Sequence, residues 1–250
     1  MSEARPNSPL NCSRQPPCPR LRVVAIVLAA GTASRMGGRP KCLLQWGGQT
    51  LLKRLLDALE VAGIDETVLV LGHNAEKIQN ALQDRLRPVH APKPNLDAPQ
   101  PMRVHQVLNP QPSDGQNSSL HLALAKAQAL NPQWLMVALA DQPLLNAEDL
   151  KALIAAVKNS PEGTQMLQPM VNQQPGNPVM MADTVMSELQ QAASQLTDKT
   201  SYPGGKAWRQ KNPHKVHLWP TTNPHYKIDM DCPEDIEALQ AQFGIQLVWG

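Results

Sequence analysis

The sequence predicts an α/β protein in which helices cover a mostly parallel sheet. Three runs, at residues 23–28, 67–71 and 134–139, are apolar at almost every position. Such unbroken runs are typical of strands that are buried on both faces of a parallel sheet. Segments with a helical period separate them, and this alternation is the second indication of the class. The 250 residues are enough for one large domain with a substantial core.

The first half of the chain predicts two strand–helix units. After the strand at 23–28, Thr50 is a helix N-cap and Gly63 a helix end. Leucines at 51, 52, 55, 56 and 59 form one apolar stripe on that helix. The strand at 67–71 precedes a second predicted helix at about 75–86.

The second half begins with the same alternation of strands and helices, and the pattern then changes. A weaker strand is predicted at 104–108, then a helix capped by Ser118 or Ser119 and ending near residue 130. The strand at 134–139 precedes a helix capped by Asn146. Beyond residue 158, short apolar pieces at 166–167, 178–181 and 216–219 predict a small antiparallel subregion on the substrate side. Pro233 starts a last helix, through about residue 239.

Prolines mark two segments outside this pattern. Five of them fall within residues 1–20, which we expect to be a disordered tail rather than a signal peptide. Five more fall within residues 88–101, which we interpret as an extended loop inserted in the domain. The predicted organisation is therefore a tail at 1–20 and a single domain at 21–250.

Composition excludes several classes of protein. A net charge of +2 and 3% aromatic residues argue against a nucleic-acid partner. No apolar run approaches the roughly 20 residues of a membrane span. The four cysteines lack the spacing of a metal site and are expected to be free thiols in a reducing compartment. Together these features predict a cytoplasmic protein.

A loop of small residues follows the first strand and carries two basic side chains. Leu28, Ala29, Ala30 and Gly31 lead into Arg35, and Lys41 follows. At Gly31 no Cβ keeps an anion from the backbone, so successive N–H groups can point at phosphate oxygens. Arg35 and Lys41 supply the positive charge that a triphosphate requires. The loop therefore predicts a phosphate site.

Aspartates at two distant places predict a magnesium site. Asp141 directly follows the strand at 134–139, so it lies at the same sheet edge as the phosphate loop. Asp229 and Asp231 are alternate residues of an extended segment and share a face. We assign Asp141 and Asp229 to Mg²⁺, which prefers oxygen ligands, and Asp231 to capping of the last helix or to support of the ligands. The alternatives are a turn cap for Asp141 and ordinary helix-start acids for the other two.

Two polar turns are weaker candidates. Gly115, Ser118 and Ser119 would contact the base and ribose of a nucleotide, and Gly176, Asn177 and Pro178 would face an acceptor substrate. Taken alone, each turn is equally consistent with an ordinary helix start or strand start.

In order, these motifs resemble the MobA/MocA-type nucleotidyltransferase family from about residue 23 to residue 239. The matching parts are 28–37 with Lys41, the triplet Asp141-Gln142-Pro143, and 229–235. At positions 30 and 142, Ala30 and Gln142 resemble the residues found in the cytidylyltransferase branch of the family, which acts on the molybdenum cofactor.

The resemblance implies a Rossmann-like nucleotidyltransferase fold and a Mg²⁺-dependent transfer of CMP from CTP to the terminal phosphate of molybdopterin. The products would be molybdopterin cytosine dinucleotide and pyrophosphate. Arg35, Lys41 and Asp141 would be the catalytic residues. Further partners implied are apo molybdenum hydroxylases or their chaperones.

Three alternatives stay open from the sequence. The first is nucleotidyl transfer from GTP or UTP, or to a sugar phosphate or another small phosphate. The second is a dinucleotide-binding oxidoreductase, although the Gly-x-Gly-x-x-Gly pattern is absent. The third is a protein that binds the cofactor without catalysis.

Overall fold

A computed structural model describes residues 20–86, 101–196 and 202–250. The expectations for the tail and for nearly all of the proline-rich loop lie outside these residues. Within them, no helix has both the length and the apolar character needed to cross a bilayer.

The chain forms eleven strands and eight helices in the described residues. The strands are β1 (Val23–Ala29), β2 (Leu44–Trp46), β3 (Gln49–Thr50), β4 (Glu66–Leu71), β5 (Arg103–Leu108), β6 (Trp134–Leu139), β7 (Met166–Val171), β8 (Gln174–Pro175), β9 (Val179–Ala182), β10 (Val216–Thr221) and β11 (Leu247–Trp249). The helices are α1 (Leu51–Val61), α2 (Ala75–Ala81), α3 (Gln83–Leu86), α4 (Gln116–Gln128), α5 (Ala147–Lys158), α6 (Asp183–Ser194), α7 (Gly205–Lys211) and α8 (Pro233–Phe243).

The central sheet has the strand order β10-β7-β9-β6-β1-β4-β5, and β8 pairs with β7. All neighbours along this order pair in parallel except at β9, which is antiparallel to both β6 and β7. Alternate residues of β1 point into two different hydrophobic clusters, Val24 and Ile26 into one and Ala25 and Val27 into the other. All four are fully buried, so the predicted α/β class with a doubly covered sheet is confirmed.

The prediction for the segments beyond residue 158 is confirmed in part, because β9 is antiparallel to both of its neighbours and β8 is antiparallel to β7. The segments do not form a separate antiparallel subregion, because β7, β9 and β10 extend the central sheet and β7 pairs with β10 in parallel. Their pairing covers the edge of β6 that would otherwise expose unpaired backbone groups. The small antiparallel sheet consists instead of β11, β2 and β3, which are too short to leave a periodic pattern.

Most predicted helix ends are confirmed, and three helices differ from their predictions. Thr50 accepts a hydrogen bond from the N–H of Lys53, and Asn146 accepts from the N–H groups of Glu148 and Asp149. The predicted helix at 75–86 is divided into α2 and α3. The last helix continues four residues beyond 239, to Phe243.

The predicted serine cap of α4 is wrong. The helix begins at Gln116, so both serines lie inside its first turns. Their hydroxyl groups face the chain before the helix, where Asn109 donates to Ser118 Oγ at 3.0 Å and to Ser119 Oγ at 2.9 Å. Gly115 occupies the cap position, where its φ of +94° suits glycine best.

Strand register brings the predicted site residues to one edge. Leu28 of β1 is level with Leu139 of β6, so the loops that follow both strands start side by side. On the side of β1 opposite β6, Gly72 follows β4 and approaches Ala30 very closely. A Cβ at Gly72 would lie 2.6 Å from the carbonyl oxygen of Ala30 and 2.9 Å from the Cβ of Pro112.

We expect Gly72→Ala to destabilise the protein by about 1–3 kcal/mol, because the added methyl group has no space. Urea unfolding measures this change. Gly31→Ala is the matched control, since a Cβ there meets no atom within 4 Å. It should change the unfolding free energy by less than about 0.5 kcal/mol. Equal unfolding free energies for the two variants would contradict the close approach.

Candidate active site

A cleft of about 410 Å³ opens at the carboxyl ends of β1 and β6. Its walls come from the loop after β1, the start of α4, the loop after β6 and the segment before α8. The lining includes eight of the nine predicted nucleotide-site residues: Leu28, Ala29, Ala30, Gly31, Arg35, Lys41, Gly115 and Ser119. Asp141 and Asp231 line the same space.

Lys41 joins the two acidic segments of the cleft. Its Nζ lies 2.8 Å from Asp141 Oδ2 and 2.9 Å from Asp231 Oδ1. Only 18% of the Lys41 side chain is exposed. Arg35, which is 71% exposed, pairs with the other oxygen of Asp231 at 3.0 Å. Both predicted cations therefore lie at the site, and each is bound to a carboxylate.

These contacts shift the pKa values of the pair. Desolvation lowers the pKa of Lys41, but the charges and hydrogen bonds of Asp141 and Asp231 outweigh it, so the pKa is raised. The Lys41 hydrogen bond, followed by the charges of Lys41 and Arg35, lowers the pKa of Asp231. Lys41 is consequently a cation and Asp231 an anion throughout the neutral range.

Asp229 lies beside Asp141 although 88 positions separate them. The N–H of Met230, whose side chain is fully buried, donates to the backbone oxygen of Asp141 at 3.1 Å. Desolvation of the Asp229 carboxyl, together with the charges of Asp141 and Asp231, raises its pKa. The carboxylates are thus close enough to repel one another.

The donor set fits a divalent cation. Asp141 Oδ1 is buried and has no hydrogen-bond partner in the described residues, and the nearby Asp229 carboxylate adds negative charge that Lys227 offsets only in part. Magnesium commonly takes one or two carboxylates and completes its shell with water and substrate phosphates. In the described part of the chain, no group of three or more His, Cys, Asp or Glu side chains is arranged as a metal site.

The capping interpretation of Asp231 is wrong. The carboxylate of Asp235 accepts the backbone N–H groups of Asp231 at 2.6 Å and of Cys232 at 2.8 Å, and so caps α8. This leaves the side chain of Asp231 free to bind Lys41 and Arg35. A capping acid at the third helical position is the commoner arrangement, and Asp235 was the signal for it.

Five predicted residues lie outside the cleft lining, and Asp229 is one of them, although its neighbour Asp231 belongs to the lining. Ser118 is buried, and its hydroxyl donates to the Gly115 carbonyl at 2.8 Å. Gly176, Asn177 and Pro178 pack near Tyr226, whose carbonyl accepts the N–H of Asn177 at 2.7 Å. A Cβ at Gly176 would lie 2.5 Å from that same carbonyl oxygen, which explains the glycine. The acceptor role of this segment stays a prediction.

Sequence reasoning missed several lining residues, among them Cys42, Pro112 and Ser113. Cys42 follows Lys41 and is buried. Desolvation and the charge of Asp141 raise the pKa of its thiol to about 12, so it stays neutral. The sequence signal that could have placed Cys42 in the cleft is its position directly after Lys41. Pro112 and Ser113 belong to a turn with no periodic pattern, so no such signal exists for them.

Residues 25–214 match the model of the MobA-like NTP transferase domain. The chain belongs to this family. The match covers the phosphate loop and Asp141, and it confirms the resemblance drawn from the motifs.

Curated relatives match parts of the chain. Nicotine blue oxidoreductase of Paenarthrobacter nicotinovorans is 33% identical over 134 residues, 54% of this chain and 56% of that protein. Bifunctional protein GlmU of Alkaliphilus metalliredigens is 30% identical over 135 residues, 54% of this chain and 25% of that protein. The matched region thus spans about half of the first protein and a quarter of the second.

Solved structures match nearly the whole fold. Rv0371c from Mycobacterium tuberculosis is 24% identical with a TM-score of 0.64, covering 89% of this chain and 99% of that one. A structure of Rv0371c in complex with manganese is 22% identical with a TM-score of 0.61, covering 88% and 99%. These similarities confirm the Rossmann-like nucleotidyltransferase fold.

We expect Lys41→Met to raise the pKa of Asp231 towards the usual aspartate value, because it removes the hydrogen bond that contributes most to the lowering. Arg35→Met should raise the same pKa by a smaller amount. A carboxyl-carbon NMR titration of Asp231 in both variants measures this order. A larger shift in Arg35→Met would show that Lys41 is not the principal partner.

Proposed function

We propose that the protein transfers CMP from CTP to the terminal phosphate of molybdopterin in a Mg²⁺-dependent reaction. The products are molybdopterin cytosine dinucleotide and pyrophosphate. The observation that carries the proposal is Lys41, held between Asp141 and Asp231 beside the glycine loop of the cleft. Family membership supports nucleotidyl transfer, and the resemblance of Ala30 and Gln142 to the cytidylyl branch favours CTP and molybdopterin.

The glycine loop and the start of α4 form the nucleotide side of the cleft. Space beside Gly31 is open, since a Cβ there would meet no atom within 4 Å. A triphosphate can therefore approach the backbone closely. Arg35 is mostly exposed and pairs only at the cleft surface, so it can turn from Asp231 to a phosphate oxygen at small cost.

The reaction brings two anions together and releases a third. An oxygen of the acceptor phosphate forms a bond to the α-phosphorus of CTP, and the bond from that phosphorus to the oxygen bridging the β-phosphate breaks. Lys41 remains protonated because Asp141 and Asp231 raise its pKa. Its ammonium group and the Arg35 guanidinium offset the charge that grows on pyrophosphate.

Asp141 and Asp229 are the residues that would hold Mg²⁺. The bound ion would neutralise charge between the reacting phosphates, a contribution of several kcal/mol. Asp141 and Asp229 come from two different segments, and Lys41 lies between the carboxylates of Asp141 and Asp231. The proposal places the reaction in the cytoplasm, with molybdenum hydroxylases or their chaperones as recipients of the product.

The alternative within the same chemistry is another nucleotide or another small phosphate acceptor. One observation favours keeping it. Asn117 follows the cleft residue Gln116, and its Nδ2 donates to the carbonyl of Tyr202 at 2.9 Å. The start of α4 is therefore held by a contact within the chain itself. Nucleotide choice is therefore a direct experimental question.

Pyrophosphate release with molybdopterin and Mg²⁺ tests the substrate proposal. We expect CTP to support release at least about tenfold faster than GTP or UTP, a difference of ~1.4 kcal/mol. Replacement of molybdopterin by sugar phosphates should abolish it. Faster release with GTP, UTP or a sugar phosphate would contradict the proposal, and nicotinamide-cofactor oxidation without pyrophosphate release would favour the oxidoreductase class.

Asp141→Ala should abolish turnover and leave the fold intact, because it removes one of the two proposed metal ligands. Steady-state pyrophosphate release and circular dichroism measure both effects. Asp84→Ala, an exposed acid of α3, is the matched control and should turn over as the wild type does. Retention of more than about a tenth of the activity by Asp141→Ala would count against the metal role, since that is only ~1.4 kcal/mol of barrier.

A further inference from the structure

The loop that carries Asp229 and Asp231 is attached to the same β6–α5 connection that carries Asp141. We call residues 223–231 the acidic loop. Near the cleft, Met230 donates to the Asp141 carbonyl at 3.1 Å. In the middle of the loop, Gln142 Nε2 donates to the Tyr226 carbonyl at 3.2 Å. The start of the loop makes a third attachment, to a buried carboxylate of α5.

That carboxylate belongs to Asp149, whose side chain is only 8% exposed. Asn223 Nδ2 donates to its Oδ1 at 2.6 Å, and His225 Nδ1 lies 2.8 Å from its Oδ2. The backbone carbonyl of Asp149 accepts the hydroxyl of Tyr226 at 2.7 Å. Three residues of the acidic loop therefore contact one residue of α5.

Capping of α5 does not require all of these contacts. Asn146 already accepts the N–H groups of Glu148 and Asp149, and Asp149 Oδ2 accepts the N–H of Asn146 at 3.1 Å. Among the residues that the structure describes, Asp149 Oδ1 takes no part in the cap and binds only the acidic loop. Since a carboxylate only accepts hydrogen bonds, His225 donates to it from Nδ1. A buried carboxylate is tolerated here because loop side chains satisfy it.

The attachment opposes a repulsive force. Asp141, Asp229 and Asp231 are close together, and Lys41 and Arg35 compensate two of these charges through direct contacts. The charges of Asp141 and Asp231 repel that of Asp229 and Lys227 offsets this only in part, so a repulsive force acts between the acidic loop and Asp141. Contacts that hold the loop at a distance from the cleft can resist this repulsion without blocking the site.

We propose that Asp149 is a positioning residue that sets the place of Asp229 relative to Asp141 and so prepares the site for a divalent cation. Asp149 is outside the cleft lining and acts through Asn223, His225 and Tyr226. The inference rests on the proposed function, because the metal site is part of it.

Asp149→Asn is the test variant, since its amide keeps the size of the side chain but replaces one acceptor oxygen by a donor. Electron paramagnetic resonance titration with Mn²⁺ alone should show roughly tenfold weaker binding. Hydrogen exchange over residues 227–232 should become faster. With CTP, kcat should fall while KM changes less than about twofold, because the glycine loop, Arg35 and Lys41 follow β1 and not the acidic loop.

Glu66→Gln is the matched control. Glu66 is also a buried acid, 6% exposed, and it contacts Arg103 and His105. It begins β4, at the end of the strand opposite the cleft. This variant should leave Mn²⁺ affinity and exchange at 227–232 unchanged. Should Asp149→Asn fail to fold, Asn223→Ala removes the bond to Asp149 Oδ1 from the loop side and should weaken Mn²⁺ binding in the same direction.

The proposal is overturned if folded Asp149→Asn, or Asn223→Ala in its place, binds Mn²⁺ within about twofold of the wild type with unchanged exchange. Equal loss of Mn²⁺ affinity in Glu66→Gln would overturn it as well, because the effect would then be one of stability alone. A different result would show that the proposed function is wrong: the wild type would release no pyrophosphate with any nucleotide, whatever hydrogen exchange at residues 227–232 shows.

Discussion

The ion pairs of Lys41 with Asp141 and Asp231 hold the site together. One ammonium group bridges the loop after β6 and the segment before α8, at 2.8 Å and 2.9 Å. Without it, the carboxylates of Asp141 and Asp231 would lie together in the cleft with Asp229 nearby, where partial burial strengthens their repulsion. In the proposed reaction the same cation also faces the triphosphate, so one side chain both joins the acidic segments and offsets the charge of the substrate.

Backbone pairing places these charges. Parallel pairing of β1 with β6 sets the glycine loop beside Asp141, because the carboxyl ends of parallel strands lie at one edge. The acidic loop reaches that edge through hydrogen bonds to Asp141, Gln142 and Asp149. The glycine loop and the acidic loop, which are far apart in sequence, are thereby both placed beside the short connection between β6 and α5.

Much of this arrangement could be predicted from the sequence, and the remainder has identifiable causes. Apolar runs predicted β1, β4 and β6, and the rule for strand ends placed Gly31 and Asp141 together. The antiparallel placement of β9 and the short strands β2, β3 and β11 depend on which edge is left unpaired, and no local pattern encodes that. Asp231 was misassigned because spacing shows which residues share a face but not which acid caps the helix. The contacts of Asp149 with the acidic loop have no signal in the sequence either, because its partners lie more than 70 positions away.

The central claim is that Asp141 and Asp229 bind one divalent ion beside a bound nucleotide. A crystal structure of the protein with Mn²⁺ and a non-hydrolysable CTP analogue tests it most directly, because anomalous scattering locates the metal without assumptions. We expect a Mn²⁺ peak in contact with carboxylate oxygens of both residues and with phosphate oxygens of the analogue. A nucleotide bound in the cleft with Mn²⁺ away from either carboxylate would contradict it.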